Sequence, residues 1–125
     1  MLMATILIVD DEVFIRGMSE LMVQDLGHET LVANGVDEAL VHLQSPTPIA
    51  ALFTDIRLKS NALGGFELAQ QAIAFRPELR VLYTTGSSMT DQMKARFVEN
   101  AHFMQKPYTP AQLQNAMEEL LAASF

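Results

Sequence analysis

Short, almost wholly apolar runs alternate along this chain with segments whose apolar residues recur at helical spacing. Thr5-Ile6-Leu7-Ile8-Val9, Ala50-Ala51-Leu52-Phe53-Thr54 and Val81-Leu82-Tyr83-Thr84 lack the polar side that a half-solvated strand shows. Runs of this length predict strands covered on both faces, as in a parallel sheet. Thr30 to Ala33 and Ala101 to Met104 are weaker versions. Between them, Phe14, Met18, Leu21, Met22 and Leu26 are expected to share one helical face, and Leu113, Ala116, Met117, Leu120 and Leu121 another. Thr109-Pro110 suits the start of that last helix, with threonine as N-cap and proline at the first helical position. Ser88-Met89-Thr90-Asp91 resembles a capping box and is expected to open a helix through Gln92, Met93, Lys94 and Phe97. Asp37 to Gln44 and Phe66 to Phe75 supply the other two. Pro46 and Pro48 end the first, and Pro77 ends the second.

Five strands and five helices in strict alternation define an α/β fold: a parallel sheet with helices on both faces. The 125 residues suit one domain, and with half of them hydrophobic they can bury a real core. The net charge of −7 argues against a nucleic-acid partner. Cysteine is absent, which removes disulfides, thiolate metal sites and a cysteine nucleophile. Met1 to Val9 has no basic start and ends in Asp10-Asp11, unlike a signal peptide. The long uncharged stretch from Ala39 to Thr54 contains His42, Gln44, Pro46 and Pro48, which excludes a spanning helix. The expectation is a cytoplasmic protein without a membrane partner.

In open parallel sheets the ligand site lies at the carboxyl ends of the strands, where the strand order reverses. Strand 1 ends in Asp10-Asp11, strand 3 in Asp55, strand 4 in Thr84-Thr85-Gly86 and strand 5 in Lys106-Pro107. Taken singly, each has a structural explanation. Asp11 can be a helix N-cap, Thr-Gly a turn and Lys-Pro a solvated loop. Taken together, they put three carboxylates, a hydroxyl and an ammonium on one edge of the sheet. Mutual repulsion is expected to raise at least one carboxyl pKa. A bound cation offsets that repulsion, and a hard, all-oxygen ligand set selects magnesium. His28, His42 and His102 fall in different elements without ligand spacing, which argues against zinc.

The chain resembles the receiver domain of two-component response regulators. The matching residues are Asp10-Asp11 in ILIVDDE, Asp55 in LFTDIRL, Thr85 in YTTGS and Lys106-Pro107 in FMQKPY, in the family's order and spacing. The resemblance runs from Thr5 to Leu121. It implies a flavodoxin-like, doubly wound (βα)5 fold with strand order 2-1-3-4-5, and a single receiver domain over residues 1–125 without an output domain. It implies that Asp55 accepts a phosphoryl group from a histidine kinase or histidine phosphotransfer protein. Mg2+ would then be held by Asp10, Asp11, Asp55 and the backbone carbonyl of Arg57. Lys106 would pair with Asp55 and then with a phosphoryl oxygen, and the Thr85 hydroxyl would move to another. Phe103, where a tyrosine is common, would be the switch aromatic, with an ordinary core aromatic as the competing explanation. The message would leave through helix 4, strand 5 and helix 5, to a downstream protein or a second copy. A cis Lys106-Pro107 bond is also implied.

Some positions depart from the family pattern. Lys59 stands where a proline is common, and the Ile56 to Gly65 loop looks about two residues longer than usual. Arg57 and Ser87 occupy positions that, in the family, flank the water that hydrolyses the acyl phosphate. Two other functions share the chemistry or the fold. A magnesium-dependent phosphohydrolase would need a second acid or base near the nucleophile, where this chain has Arg57, and a cap that no segment supplies. A flavin binder would need a glycine-rich phosphate loop after strand 1, where this chain has two aspartates. The expectation is a signalling phosphoacceptor, not an enzyme. Met1 and the helix that runs nearly to Phe125 lean towards a stand-alone protein, and an excised domain would look the same.

Overall fold

In a computed structural model of the chain, which describes residues 4–59 and 61–122, five strands form one parallel sheet. They are β1 (Thr5–Val9), β2 (Glu29–Ala33), β3 (Ala51–Asp55), β4 (Arg80–Thr85) and β5 (His102–Gln105), in the order β2-β1-β3-β4-β5. The helices are α1 (Val13–Asp25), α2 (Val36–Gln44), α3 (Gly64–Phe75), α4 (Asp91–Lys94) and α5 (Pro110–Ala122). The expectations placed on Met1 and on Phe125 lie outside the described residues. β1 is flanked by β2 on one side and β3 on the other, so the order reverses there and the carboxyl ends of β1 and β3 lie side by side.

Each central strand feeds two cores because its side chains alternate faces. Leu7, Val9, Leu52, Val81 and Tyr83 pack beneath α2 and α3 with Leu43, Phe66, Leu68 and Ala69. Ile6, Ile8, Phe53 and Leu82 point the other way, onto Val23 of α1 and Leu113, Met117 and Leu120 of α5. This double burial is why the strands are apolar throughout. Most element ends fall within about two residues of expectation.

α1 and α4 depart from expectation. The expected apolar face of α1 divides: Met22 and Leu26 pack on the core, whereas Phe14, Met18 and Leu21 are 88%, 59% and 63% exposed. The buried face is carried instead by Val23 and Ser19. In α4 the cap is Thr90, not Ser88, its hydroxyl oxygen accepting from the Met93 N–H at 3.1 Å. The helix lasts one turn. Arg96 and Phe97 then bond back only three residues, to Met93 and Lys94, so Phe97 lies beyond the helix. Two contacts draw the chain out of the helix. Phe97 stacks on Tyr83 at 4.7 Å between centroids, and the Tyr83 hydroxyl accepts from the Val98 N–H. At α5, Thr109 and Gln112 form a reciprocal capping box, each side chain accepting from the other's backbone N–H.

α1 ends in a Schellman motif. Gly27, at φ 94°, donates to Gln24 and His28 donates to Val23. His28 is thereby buried, and its Nδ1 accepts from the Ala4 N–H at 3.2 Å. Burial lowers its pKa below 6.5. A group held neutral in the folded state contributes stability that is present above its unfolded pKa and lost as pH falls below it. Stability should therefore drop as pH falls from about 6.5. His28→Asn keeps an acceptor near the Nδ1 position and does not titrate. Its melting temperature, measured from pH 7.5 down to 5, should fall less steeply than the wild type's. Parallel curves would dismiss His28 as the source.

Candidate functional site

Asp10 follows β1 directly, and its N–H continues the β1–β2 ladder by donating to Ala33 at 3.2 Å. The side chain is buried. One carboxylate oxygen accepts from the Glu12 N–H at 2.9 Å, satisfying a donor at the start of α1. Arg16 donates to the Asp10 carbonyl at 3.0 Å. Asp11 does not cap α1. It turns across the cleft, where its Oδ2 accepts from the Lys59 N–H at 2.9 Å. Lys59 sits at φ 56°, a conformation closed to proline, and proline has no N–H to donate. The departure from the family pattern at this position thus supplies a donor that the common residue cannot.

Asp55 is the last residue of β3 and is buried. The start of α3 holds it from behind. Gly65 donates to the Ile56 carbonyl at 2.8 Å and lies so near β3 that a Cβ would meet the Asp55 carbonyl oxygen at 2.2 Å. Only glycine permits that approach. The long loop between them is closed by an antiparallel bridge, Leu58 to Asn61, with Leu58 buried as its anchor. Ser60 lies outside the described residues.

Lys106 reaches over the cleft from the end of β5. Its ammonium donates to Asp55 at 3.0 Å and to Asp10 at 3.1 Å. Its backbone N–H donates to the Thr85 carbonyl at 2.8 Å, and the Lys106–Pro107 bond is cis. Thr85 closes β4, its hydroxyl oxygen accepting from the Ser87 N–H at 3.1 Å. Gln105 ties β5 to that same turn by donating to the Thr85 and Ser87 carbonyls. On the other side of Lys106, the Tyr108 hydroxyl bonds the Ser19 hydroxyl of α1.

Burial raises the Asp55 pKa above 3.8. Lys106 opposes the rise, and Asp10 and Asp11 add to it more weakly. Repulsion among the carboxylates, the cause expected from sequence, therefore acts but is secondary to desolvation. Burial pulls Lys106 down, yet Asp55 and Asp10 outweigh it and leave its pKa above 10.5. The ammonium stays charged and serves as the site's own cation.

Carboxylate oxygens of Asp10, Asp11 and Asp55 come within 4.8 Å of one another. They form an all-oxygen set that fits a hard divalent ion. Arg57 lies two residues past Asp55 in the loop, with its side chain exposed. Phe103 stands apart from the cluster on β5. It is 38% exposed, packs edge-on against Phe97 at 5.9 Å, and has the Lys94 ammonium 5.8 Å from its ring centroid. Sequence reasoning did not find Gly65, the Lys59 N–H, Gln105, or the Ser19–Tyr108 pair. The Gly64-Gly65 doublet at a helix start was a usable signal for the first; the others depend on long-range partners.

Fold and site together define a doubly wound α/β domain with a carboxylate trio and a lysine at the switch point of its sheet. The response regulator receiver domain family matches residues 6–118, and the chain belongs to that family. No protein of curated function matches it in sequence. Among solved structures, a response regulator receiver protein from Sinorhizobium medicae WSM419 is 27% identical over 98% of each chain, with a TM-score of 0.88. A CheY-like receiver domain protein from Methanospirillum hungatei JF-1 is 24% identical over 98% of this chain and 97% of its own, with a TM-score of 0.86. NtrX from Brucella abortus is 31% identical over 98% of this chain but only 27% of its own length, with a TM-score of 0.84. Among the described residues, no helix is long and apolar enough to cross a membrane.

Proposed function

We propose that the chain is a single receiver domain over residues 1–125. Asp55 takes a phosphoryl group from the phosphohistidine of a histidine kinase or phosphotransfer protein. The observation that carries this reading is the buried Asp55 carboxylate joined to Asp10 by the Lys106 ammonium. A carboxylate oxygen attacks phosphorus, the phosphorus–nitrogen bond breaks, and the electron pair leaves with the imidazole. Little covalent chemistry is asked of the protein beyond that nucleophile; placement and positive charge on the transferring oxygens do the rest. Lys106 supplies one such charge, moving from the carboxylate to a phosphoryl oxygen. Asp10, Asp11, Asp55 and the Arg57 carbonyl would hold Mg2+, which would neutralise further phosphoryl charge. The Thr85 hydroxyl exchanges its Ser87 N–H for a phosphoryl oxygen. Phe103 then turns inward, and the α4–β5–α5 face presents a changed surface to a downstream protein or a second copy. The chain signals and catalyses only its own phosphorylation and dephosphorylation.

The exposed Val13, Phe14, Met18 and Leu21 favour a protein donor over a small molecule. They form an apolar strip that begins at the rim of the acidic cleft, where a partner's histidine must enter. Two measurements test the reading. Acetyl phosphate with magnesium should label the protein through a bond that base and hydroxylamine cleave, as an acyl phosphate requires. Magnesium at tenfold excess over its Kd should raise the melting temperature by about 3–5 °C through mass action. An unlabelled protein, or no shift at millimolar metal, would remove Asp55 and its neighbours from this role.

A further inference from the structure

Tyr108 joins three segments that carry the site. It lies two residues after Lys106. Its hydroxyl bonds that of Ser19, in the second turn of α1, the helix that begins just past Asp10 and Asp11. Its ring packs against Phe53 of β3, two residues before Asp55, at 6.1 Å between centroids. Ser19 is only 3% exposed, and it is a polar residue on the buried face of a helix whose neighbours there are apolar. A buried hydroxyl needs a partner, and Tyr108 is the one it has. The Lys106 ammonium is shared between Asp10 and Asp55.

We infer that the Ser19–Tyr108 hydrogen bond is a positioning clamp. It sets the segment after Lys106 against α1, so that the ammonium spans Asp10 and Asp55 and is in place for the transferring phosphoryl group. This rests on the proposed role of Asp55. The clamp has two consequences of opposite sign. A firmly held ammonium occupies Asp10 and so competes with a divalent cation for that carboxylate. The same ammonium must be present to meet the phosphoryl oxygens. Loosening the clamp should therefore strengthen metal binding while slowing phosphorylation. General loss of structure weakens both.

Tyr108→Phe removes the hydroxyl and keeps the ring; Ser19→Ala removes the other half. Each should slow labelling by acetyl phosphate about fivefold, the effect of one hydrogen bond, and lower the magnesium Kd, read by calorimetry, by a similar factor. The double variant should be no more affected than either single one, because the two groups act through one bond. Unchanged rate and Kd in both variants would overturn the clamp. So would a parallel loss of rate and affinity that tracks a fall in melting temperature, or effects that simply add in the double variant. An unlabelled wild type would refute the role given to Asp55, and the magnesium affinities would then decide the clamp by themselves.

Discussion

Asp55→Asn should take no label from acetyl phosphate under conditions that label the wild type. The amide keeps the shape of the carboxylate but has no anionic oxygen to attack phosphorus, so the loss is complete rather than partial. The fold should survive. The Asp55 carboxyl is buried and its pKa is raised, so the ionised form is the one the folded state disfavours. Such a group contributes stability that is fully present below its unfolded pKa of about 3.8 and is lost as pH rises through the higher folded value. Asparagine is neutral throughout. The stability of Asp55→Asn relative to the wild type should therefore increase as pH is raised from about 4 towards neutrality. Lys106 keeps Asp10 as a partner in the variant, which limits the damage. Labelling equal to wild type would move the acceptor elsewhere. A relative stability that falls with rising pH would contradict the electrostatic assignment.

Gly65→Ala should be the most damaging of the glycine-to-alanine changes. The added Cβ would lie 2.2 Å from the Asp55 carbonyl oxygen, 2.8 Å from the Ile56 Cα and 3.0 Å from the Asp55 carbonyl carbon. All three are backbone atoms of the segment that presents the Asp55 carboxylate, so no side chain can swing aside. The start of α3 must move off β3, at a cost of about 3 kcal/mol, or about 10 °C in melting temperature. Magnesium binding should weaken as well, because Asp55 shifts relative to Asp10 and Asp11. Gly17→Ala supplies the opposite sign. It lies inside α1 with nothing within 4 Å of the new methyl, and should stabilise by about 0.5–1 kcal/mol. Thermal melts of both variants with and without magnesium check this. A Gly65→Ala protein that melts and binds metal like wild type would show that the close approach is not a constraint.

The β1, β3 and β4 strands were legible in the sequence because both of their faces are buried, which leaves short uninterrupted apolar runs. The site was legible for a related reason: strand ends place their residues on one edge whatever the helices do, so Asp10, Asp11, Asp55, Thr85 and Lys106 could be grouped before any geometry was known. α1 was harder because it carries two apolar strips. Periodicity joins Phe14, Met18 and Leu21 to Met22 and Leu26 on one face, while the core takes only Met22 and Leu26 of these, together with Val23 and with Ser19 drawn in by a tyrosine far along the chain. α4 failed differently. Its cap was visible but assigned two residues early, and its end is set by where Phe97 must go to meet Tyr83, which no local pattern records. The sharing of Lys106 between two carboxylates likewise belongs to the third dimension.

The single turn of α4 bears on how much free energy a signal needs. Between Thr85 and His102 the chain has one turn of regular helix with no buried residue in it, and β5 beyond is an edge strand bonded to β4 alone. Segments with few buried contacts and a single sheet neighbour open locally at a fraction of the global unfolding free energy. The central strands β1 and β3, each bonded on both sides, belong to the opposite end of that range. Thr85 sits on the border between the two regimes. On the role proposed for Asp55, a phosphoryl group on the rigid side would not have to bend a stiff structure to be felt on the other. It would act on the segment that costs least to open, for which a small difference in affinity between two arrangements is enough.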